Sequence, residues 1–291
     1  MARKVSSVSV EERRTSVDGL STRYLEAGSG PAVIMLHGAQ ACLSADIFTG
    51  VIEPIADGGF RVIAYDQPGY GLSDNPSDYR VSYRMGFITK LMDVLGIESA
   101  ALVGHAQGGG IVVRVALSEP GRAGAVVAVS NLSLVPPLPG VQSSGRPEEG
   151  APAPSRPTLS SVRAELENDV YDKGLITPDV VEQKLQLSIG KNLTAAAERR
   201  RSREPWNDAV PVWERLREIS GPLLLLYGDR DRESVGQRAL LLKEQQPDLD
   251  IRVVQDAAHL LMWDAPDVFT TSVLQCIAGT SSRHGSSPVS K

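Results

Sequence analysis

Cysteine is scarce in this chain. Its 291 residues hold two, Cys42 and Cys276, far apart and without the spacing of a zinc site or a disulfide framework. No apolar stretch reaches the roughly 18 uninterrupted residues that a membrane helix needs. Basic residues are not in excess: the net charge of −5 offers nucleic acid no basic patch or stripe. The opening MARKVSSVSVEERR starts basic but has no apolar run behind it, so no secretory signal is expected. No internal repeat is visible. These absences leave the expectation of a soluble cytoplasmic protein with no membrane or nucleic-acid partner and no zinc site.

What is present is a hydrophobic content of 42%, enough for a sizeable core in one α/β unit carrying an insertion. Short apolar runs alternate with amphipathic stretches, which predicts a mainly parallel sheet with helices on both faces. The runs are PAVIMLHG (31–38), RVIAYDQ (61–67), ALVGH (101–105), GAVVAVSN (124–131), PLLLLYG (222–228) and DIRVVQDA (250–257). Upstream, VSSVSVEERR and LSTRYLEAG read as an antiparallel pair turned at Asp18-Gly19. Helices are predicted over 81–96, 107–119, 235–246 and 264–278. From about 132 to 206 the alternation stops. A Pro-, Gly- and Ser-rich stretch predicts an extended loop, and VRAELENDVYDKGL, TPDVVEQKLQLSI and LTAAAERRRS read as short helices. Thr177-Pro178 opens one of these in the N-cap, Pro-at-N1 pattern. The expected division is a core of 1–131 and 207–280, a lid of 132–206 and a disordered tail of 281–291.

One more absence shapes the functional reading. The stretch LVGHAQGGG (102–110) runs from an apolar strand through a tight glycine turn into a helical IVVRVAL. In serine hydrolases such a turn reads G-x-S-x-G and lifts the serine hydroxyl on a strained corner. Here the frame is Gly104, His105, Ala106, Gln107, Gly108, with the hydroxyl missing. Two further strand ends carry chemistry. Gly228-Asp229-Arg230-Asp231 puts an acid after one strand, Asp229 or Asp231, and His259 follows another. LHGAQ (36–40) offers Ala39 and Gln40 as backbone donors, and Gln107 would give the second N–H of an oxyanion hole. Cys42 could be imagined as a substitute nucleophile, but no basic partner lies near it in sequence and a small buried residue is the simpler reading.

The chain resembles the carbon–carbon bond hydrolases that cleave meta-cleavage products, within the α/β-hydrolase superfamily. The resemblance covers about residues 20–279 and rests on RYLEAGSGPAVIMLHG, YDQPGYGLSD, LVGHAQGGG, VYDKGLITPDVV, GDRD and HLLMWDAPDVF. It implies the α/β-hydrolase fold, an eight-stranded and mostly parallel sheet with a helical lid after the sixth strand. It also implies a nucleophile position at Ala106, an acid at Asp231 in preference to Asp229, and a base at His259. A small-molecule substrate is implied, with a homodimer as a family expectation. Gly38, His105, Lys184, Leu260 and Trp263 fall at substrate-binding positions. Departures from the family lie at Ala39-Gln40-Ala41-Cys42, where a Gly- and Pro-rich stretch is usual, and at His105 for Asn and Leu260 for Trp. Lys184 replaces an arginine, keeping charge while losing bidentate geometry. The arginine's loss and the lid's Pro-rich opening point to a larger or less acidic ligand, an aromatic or polyketide-like metabolite, and the resemblance implies no cofactor or metal. Two explanations of Ala106 follow. The chain is an inactivated Ser-to-Ala form of a hydrolase, or alanine is natural and the pocket binds a ligand or runs an isomerase, cyclase or lyase step with His259 or His105. Aspartate as the lost residue is disfavoured, because epoxide hydrolases and dehalogenases usually carry a Trp where Gln107 stands.

Overall fold

The structure, a computed structural model, describes residues 8–140, 156–202 and 208–281. The Pro-rich opening of the insertion and the predicted disordered tail lie largely outside these residues. The strands are β1 (Glu11–Val17), β2 (Leu20–Ala27), β3 (Ala32–Leu36), β4 (Arg61–Tyr65), β5 (Ala100–His105), β6 (Ala123–Val129), β7 (Leu223–Gly228) and β8 (Asp250–Val254). They form one sheet in the order β1-β2-β4-β3-β5-β6-β7-β8. β1 and β2 are the antiparallel hairpin turned at Asp18-Gly19, and from β4 onward every pairing is parallel.

A parallel strand covered on both faces must be apolar at successive positions, and these are. Val33 and Met35 enter one core while Ile34 and Leu36 enter the other; Leu224 and Leu226 alternate likewise with Leu225 and Tyr227. The first core is completed by α1 (Thr49–Ala56) and α9 (Pro266–Ser281), through Val51, Ile52, Ile55, Phe269 and Val273. The second takes α2 (Val81–Val94), α3 (Gln107–Ser118) and α7 (Val235–Gln245). The helix expected over 264–278 is α9, and a short α8 (Leu261–Asp264) precedes it. α1 was not expected: Gly50 and Pro54 inside it mask its apolar spacing. Among the described residues no helix is long and apolar enough to cross a membrane.

Between β6 and β7 lie α4 (Leu159–Asp169), α5 (Pro178–Ser188) and α6 (Lys191–Arg201). Thr177 caps α5, its Oγ1 accepting from the Val180 N–H at 3.3 Å, with Pro178 at the first helical position. The stretch VYDKGL, expected to continue a helix, instead leaves α4 extended at Val170 and makes only a single tight turn at Lys173–Leu175. α6 is fastened to the loop after β4. Asn192 Nδ2 donates to Gly71 O at 3.0 Å, Lys191 Nζ donates to the carbonyls of Gly71 and Ser73, and Arg199 Nη1 donates to Gly69 O at 2.6 Å.

The site follows from the strand order. The chain runs from β3 outward to β4 and returns on the other side as β5, so β3 and β5 are neighbours whose following loops diverge. Such a switch point, at the carboxyl ends of the strands, is where open α/β sheets bind ligands. Leu36 pairs with Gly104, which makes His37-Gly38 and His105-Ala106 leave the sheet side by side. Their approach is close enough to dictate glycine. A Cβ on Gly108 would sit 2.6 Å from Leu36 O and 2.7 Å from His37 O. On Gly104 it would sit 2.3 Å from Gly108 O. Gly108→Ala is therefore expected to cost about 3 kcal/mol or more, as backbone cannot yield to a methyl there. The exposed Gly121, with nothing within 4 Å of its would-be Cβ, serves as control. Urea denaturation midpoints of the two variants measure the difference.

Candidate active site

Ala106 occupies the corner between β5 and α3 with φ 49° and ψ −120°, a conformation that L-residues avoid. Holding it costs about 1–3 kcal/mol, which its neighbours must offset. Three bonds do so. The Ala106 N–H donates to Val129 O at 2.8 Å, and Ala106 O accepts from the Gly109 N–H at 2.9 Å and from Asn131 Nδ2. The side chain at 106 thereby points away from the sheet, towards Gly38, whose would-be Cβ would lie 3.0 Å from the Ala106 methyl.

Asp231 and His259 meet. The loop after β7 and the loop after β8 pack backbone to backbone at Gly228, where a Cβ would stand 2.1 Å from Ala257 O. Across this seam His259 Nδ1 lies 3.0 Å from Asp231 Oδ1, with both side chains buried. Asp229 takes no part: its carboxylate faces Arg230 at 3.3 Å and the Ala257 N–H at 3.4 Å. His105 packs edge-on against His259, ring centroids 4.7 Å apart. Its Nε2 lies 3.0 Å from the His259 carbonyl, so Nε2 carries the proton and Nδ1 is a bare acceptor. Burial first, and then the neighbouring His259, hold His105 well below the usual imidazole range.

The residues expected as oxyanion donors stand around the same corner. Gln107 is the first residue of α3, so its N–H precedes the helix's own bonding ladder. Its side chain is held by Arg84, whose Nη2 donates to Gln107 Oε1 at 2.5 Å. On the β3 loop, Ala39 O accepts from Tyr70 at 3.2 Å, Gln40 O accepts from the Leu43 N–H at 3.1 Å, and Gln40 Nε2 donates to Asp169 at 2.6 Å. His37 anchors this loop. Its Nδ1 donates to Gly38 O at 2.8 Å and its Nε2 accepts from the Gln67 N–H at 3.1 Å.

Of the other positions, Lys184 is buried on α5 with its ammonium 5.4 Å from the centre of the Trp263 ring. Burial lowers its pKa, and a cation over an indole face is attracted by the ring quadrupole. Trp263 is itself tethered, Nε1 to Ile47 O at 2.9 Å. Leu260 is fully buried in the core. Cys42 is buried too, and burial pushes its thiol up to about 12, the reverse of what a nucleophile needs.

Sequence reading missed Arg232 and Asp169. Arg232 follows Asp231 directly, and its Nη2 lies 2.7 Å from His259 Nε2. Asp169, buried at the end of α4, faces Arg232 Nη1 at 3.2 Å. Asp169 lay in plain view beside the stretch VYDKGLIT, but nothing in that segment says which strand end it reaches.

These features define a class, and the comparisons agree. The alpha/beta hydrolase fold family matches residues 31–266, and the chain belongs to it. It is 27% identical over 281 residues to a 2-hydroxy-6-oxononadienedioate/2-hydroxy-6-oxononatrienedioate hydrolase of Burkholderia vietnamiensis, covering 88% of this chain and 90% of that protein. It is 28% identical over 272 residues to a 2-hydroxy-6-oxo-6-phenylhexa-2,4-dienoate hydrolase of Burkholderia cepacia, covering 87% and 90%. Among solved structures, the meta-cleavage product hydrolase of Pseudomonas fluorescens IP01 superposes with a TM-score of 0.76 at 23% identity, covering 92% of this chain and 97% of that one. That structure is an alanine-for-serine mutant complexed with acetates, and at this identity it shows the fold alone.

Two measurements test the electrostatics. Burial holds His37 down to about 3, against its hydrogen bond to Gly38. Acidification from about pH 6.5 towards 3 then costs stability, because the unfolded chain takes up a proton that folded His37 refuses. Urea midpoints should fall more steeply over that range for this chain than for His37→Gln. At pH 8 the folded protein should leave Cys42 unmodified by iodoacetamide, whereas the urea-unfolded chain should be alkylated, as mass spectrometry of the tryptic peptide will read.

Proposed function

We propose that this chain is a serine-hydrolase scaffold that cleaves a bond beside a carbonyl, carbon–carbon or ester, in a small organic ligand, and that residue 106 is its nucleophile position. The observation that carries the reading is the Asp231–His259 hydrogen bond, set beside a strained corner that lacks nothing but a hydroxyl. On this reading Ala106 stands in for serine and the chain is an inactivated form. A Ser-to-Ala change removes one oxygen and little volume, so the frame persists without it.

With serine at 106, His259 takes the hydroxyl proton as the oxygen attacks the carbonyl carbon. Asp231 fixes the imidazole tautomer and stabilises the imidazolium that forms. The oxyanion rests on N–H groups of Gln107 and the 39–40 loop, each worth about 3 kcal/mol in related chemistry. His259 then protonates the leaving carbon or oxygen, and water hydrolyses the acyl-enzyme. The segment 132–206 serves as the lid, and Gly38, His105, Lys184, Leu260 and Trp263 shape the ligand's place. The relatives named above supply the first substrates to try, the 2-hydroxy-6-oxo dienoates. Lys184 in place of arginine and the Pro-rich opening of the insertion favour a larger or less acidic, aromatic or polyketide-like relative of these.

A second reading has one observation in its favour: His259 Nε2 is bonded by Arg232. Natural alanine at 106 would suit a pocket in which His259 or His105 serves as acid/base for a non-hydrolytic step. The test is Ala106→Ser. The hydrolase reading expects it to gain labelling by a fluorophosphonate and hydrolysis of a p-nitrophenyl ester. Adding His259→Ala should reduce that hydrolysis by about 10³-fold or more. An inert revertant, beside turnover of a dienoate by the alanine form, sinks the hydrolase reading.

A further inference from the structure

Both ring nitrogens of His259 are engaged. Nδ1 faces Asp231 Oδ1 at 3.0 Å and Nε2 lies 2.7 Å from Arg232 Nη2. A guanidinium has only donors and does not deprotonate in proteins, so Nε2 must be the acceptor and the ring proton must sit on Nδ1. Asp231 receives that proton, so the two partners demand the same tautomer. The nitrogen that would accept a proton from a group at 106 is thus covered by a fixed cation.

Arg232 is held on its far side by Asp169, 3.2 Å from Nη1. The Asp169 side chain is buried, while that of Arg232 is 43% exposed. Asp169 cannot drift away from His259. Its carbonyl accepts from the Leu260 N–H at 2.7 Å, one residue past the histidine. The Tyr171 and Asp172 N–H groups donate to the Asp264 carboxylate, which also accepts from the Ala258 N–H at 2.8 Å. Asp169 and His259 therefore share one frame, and the part with room to move is the arginine side chain. Beyond Arg232 the chain turns sharply, with Glu233 and Ser234 both left-handed at φ 56° and 55°. The charged and titratable groups facing the ring are Asp231 and Arg232 from the β7 loop, His105 from β5 and Asp169 from α4, with Glu165 one turn back.

We propose that Arg232 is a positioning residue that closes the site from within: paired with Asp169, its guanidinium caps His259 Nε2, and the imidazole can accept a proton only after that side chain swings aside. The proposal deepens the functional reading above, yet its first test does not depend on it.

That test uses the full chain with Ala106 in place and histidine labelled with ¹⁵N. The His259 signals are assigned by their loss in His259→Asn. Arg232→Met should shift the Nε2 resonance and leave Nδ1 protonated on Asp231; Arg232→Lys, which keeps a donor, should restore most of the original position. A purely structural arginine would leave Nε2 where it is, and that result overturns the proposal. The second arm measures fluorophosphonate labelling in the Ala106→Ser chain. Adding Arg232→Met should speed it roughly tenfold, the effect of one hydrogen bond to a charged group, with Arg232→Lys between. Slower labelling on removing the guanidinium refutes the cap. If Ala106→Ser stays inert even with Arg232→Met added, while the Nε2 shift occurs, the hydrolase reading fails and the role of Arg232 stands.

Discussion

Everything at this site depends on two backbones passing almost within contact. The turn after β5 can lie beside the loop after β3 only because Gly108 presents no side chain to the carbonyls of Leu36 and His37. That approach forces residue 106 into a left-handed conformation and aims it out of the sheet, whatever side chain it carries. It also sets the Ala106 methyl against Gly38, whose would-be Cβ would lie 3.0 Å from it. The corner is thus a property of the glycines and the strand order, and alanine at 106 holds it without any hydroxyl. The acid and histidine obey a parallel constraint at Gly228, where the loops after β7 and β8 touch.

This explains what was legible in the sequence. Strand runs are local, and a strand buried on both faces spells itself out in consecutive apolar residues, as Leu223–Gly228 does. Glycine turns and the positions just past strand ends are local too, so Ala106, Asp231 and His259 could be picked out in order. Choosing Asp231 over Asp229 from residues alone was not possible, because both follow the same strand within three positions. The fold turns Asp231 to His259 and Asp229 to Arg230. α1 escaped because Gly50 and Pro54 interrupt a helix whose formation rests on packing against α9 and the sheet. Arg232 and Asp169 escaped for a different reason. Their meeting joins residues 63 positions apart in sequence, and no spacing rule reaches that far.

The interior around the site is rich in cations that, among the described residues, make no ion pair of their own. Arg84 bonds the amides of Gln67 and Gln107 and lies 5.6 Å from the Tyr70 ring centre. Arg199 lies 3.7 Å from the same ring, and Lys184 faces Trp263. Amide oxygens and aromatic faces are weak substitutes for a counter-ion in a buried setting, and burial accordingly lowers the pKa of Lys184 and of Arg199. Such an interior is better suited to receive negative charge than to release it.

The fastening of α6 has a consequence for how a ligand gets in. Lys191, Asn192 and Arg199 rivet that helix to carbonyls of residues 69–73, and Asp264 stitches the chain after α4 to the histidine loop. The helical segment is therefore secured to the body at two well-separated points, like a roof bolted at both eaves. A roof of that kind can part from the body as a unit only if the fastenings at both eaves let go together.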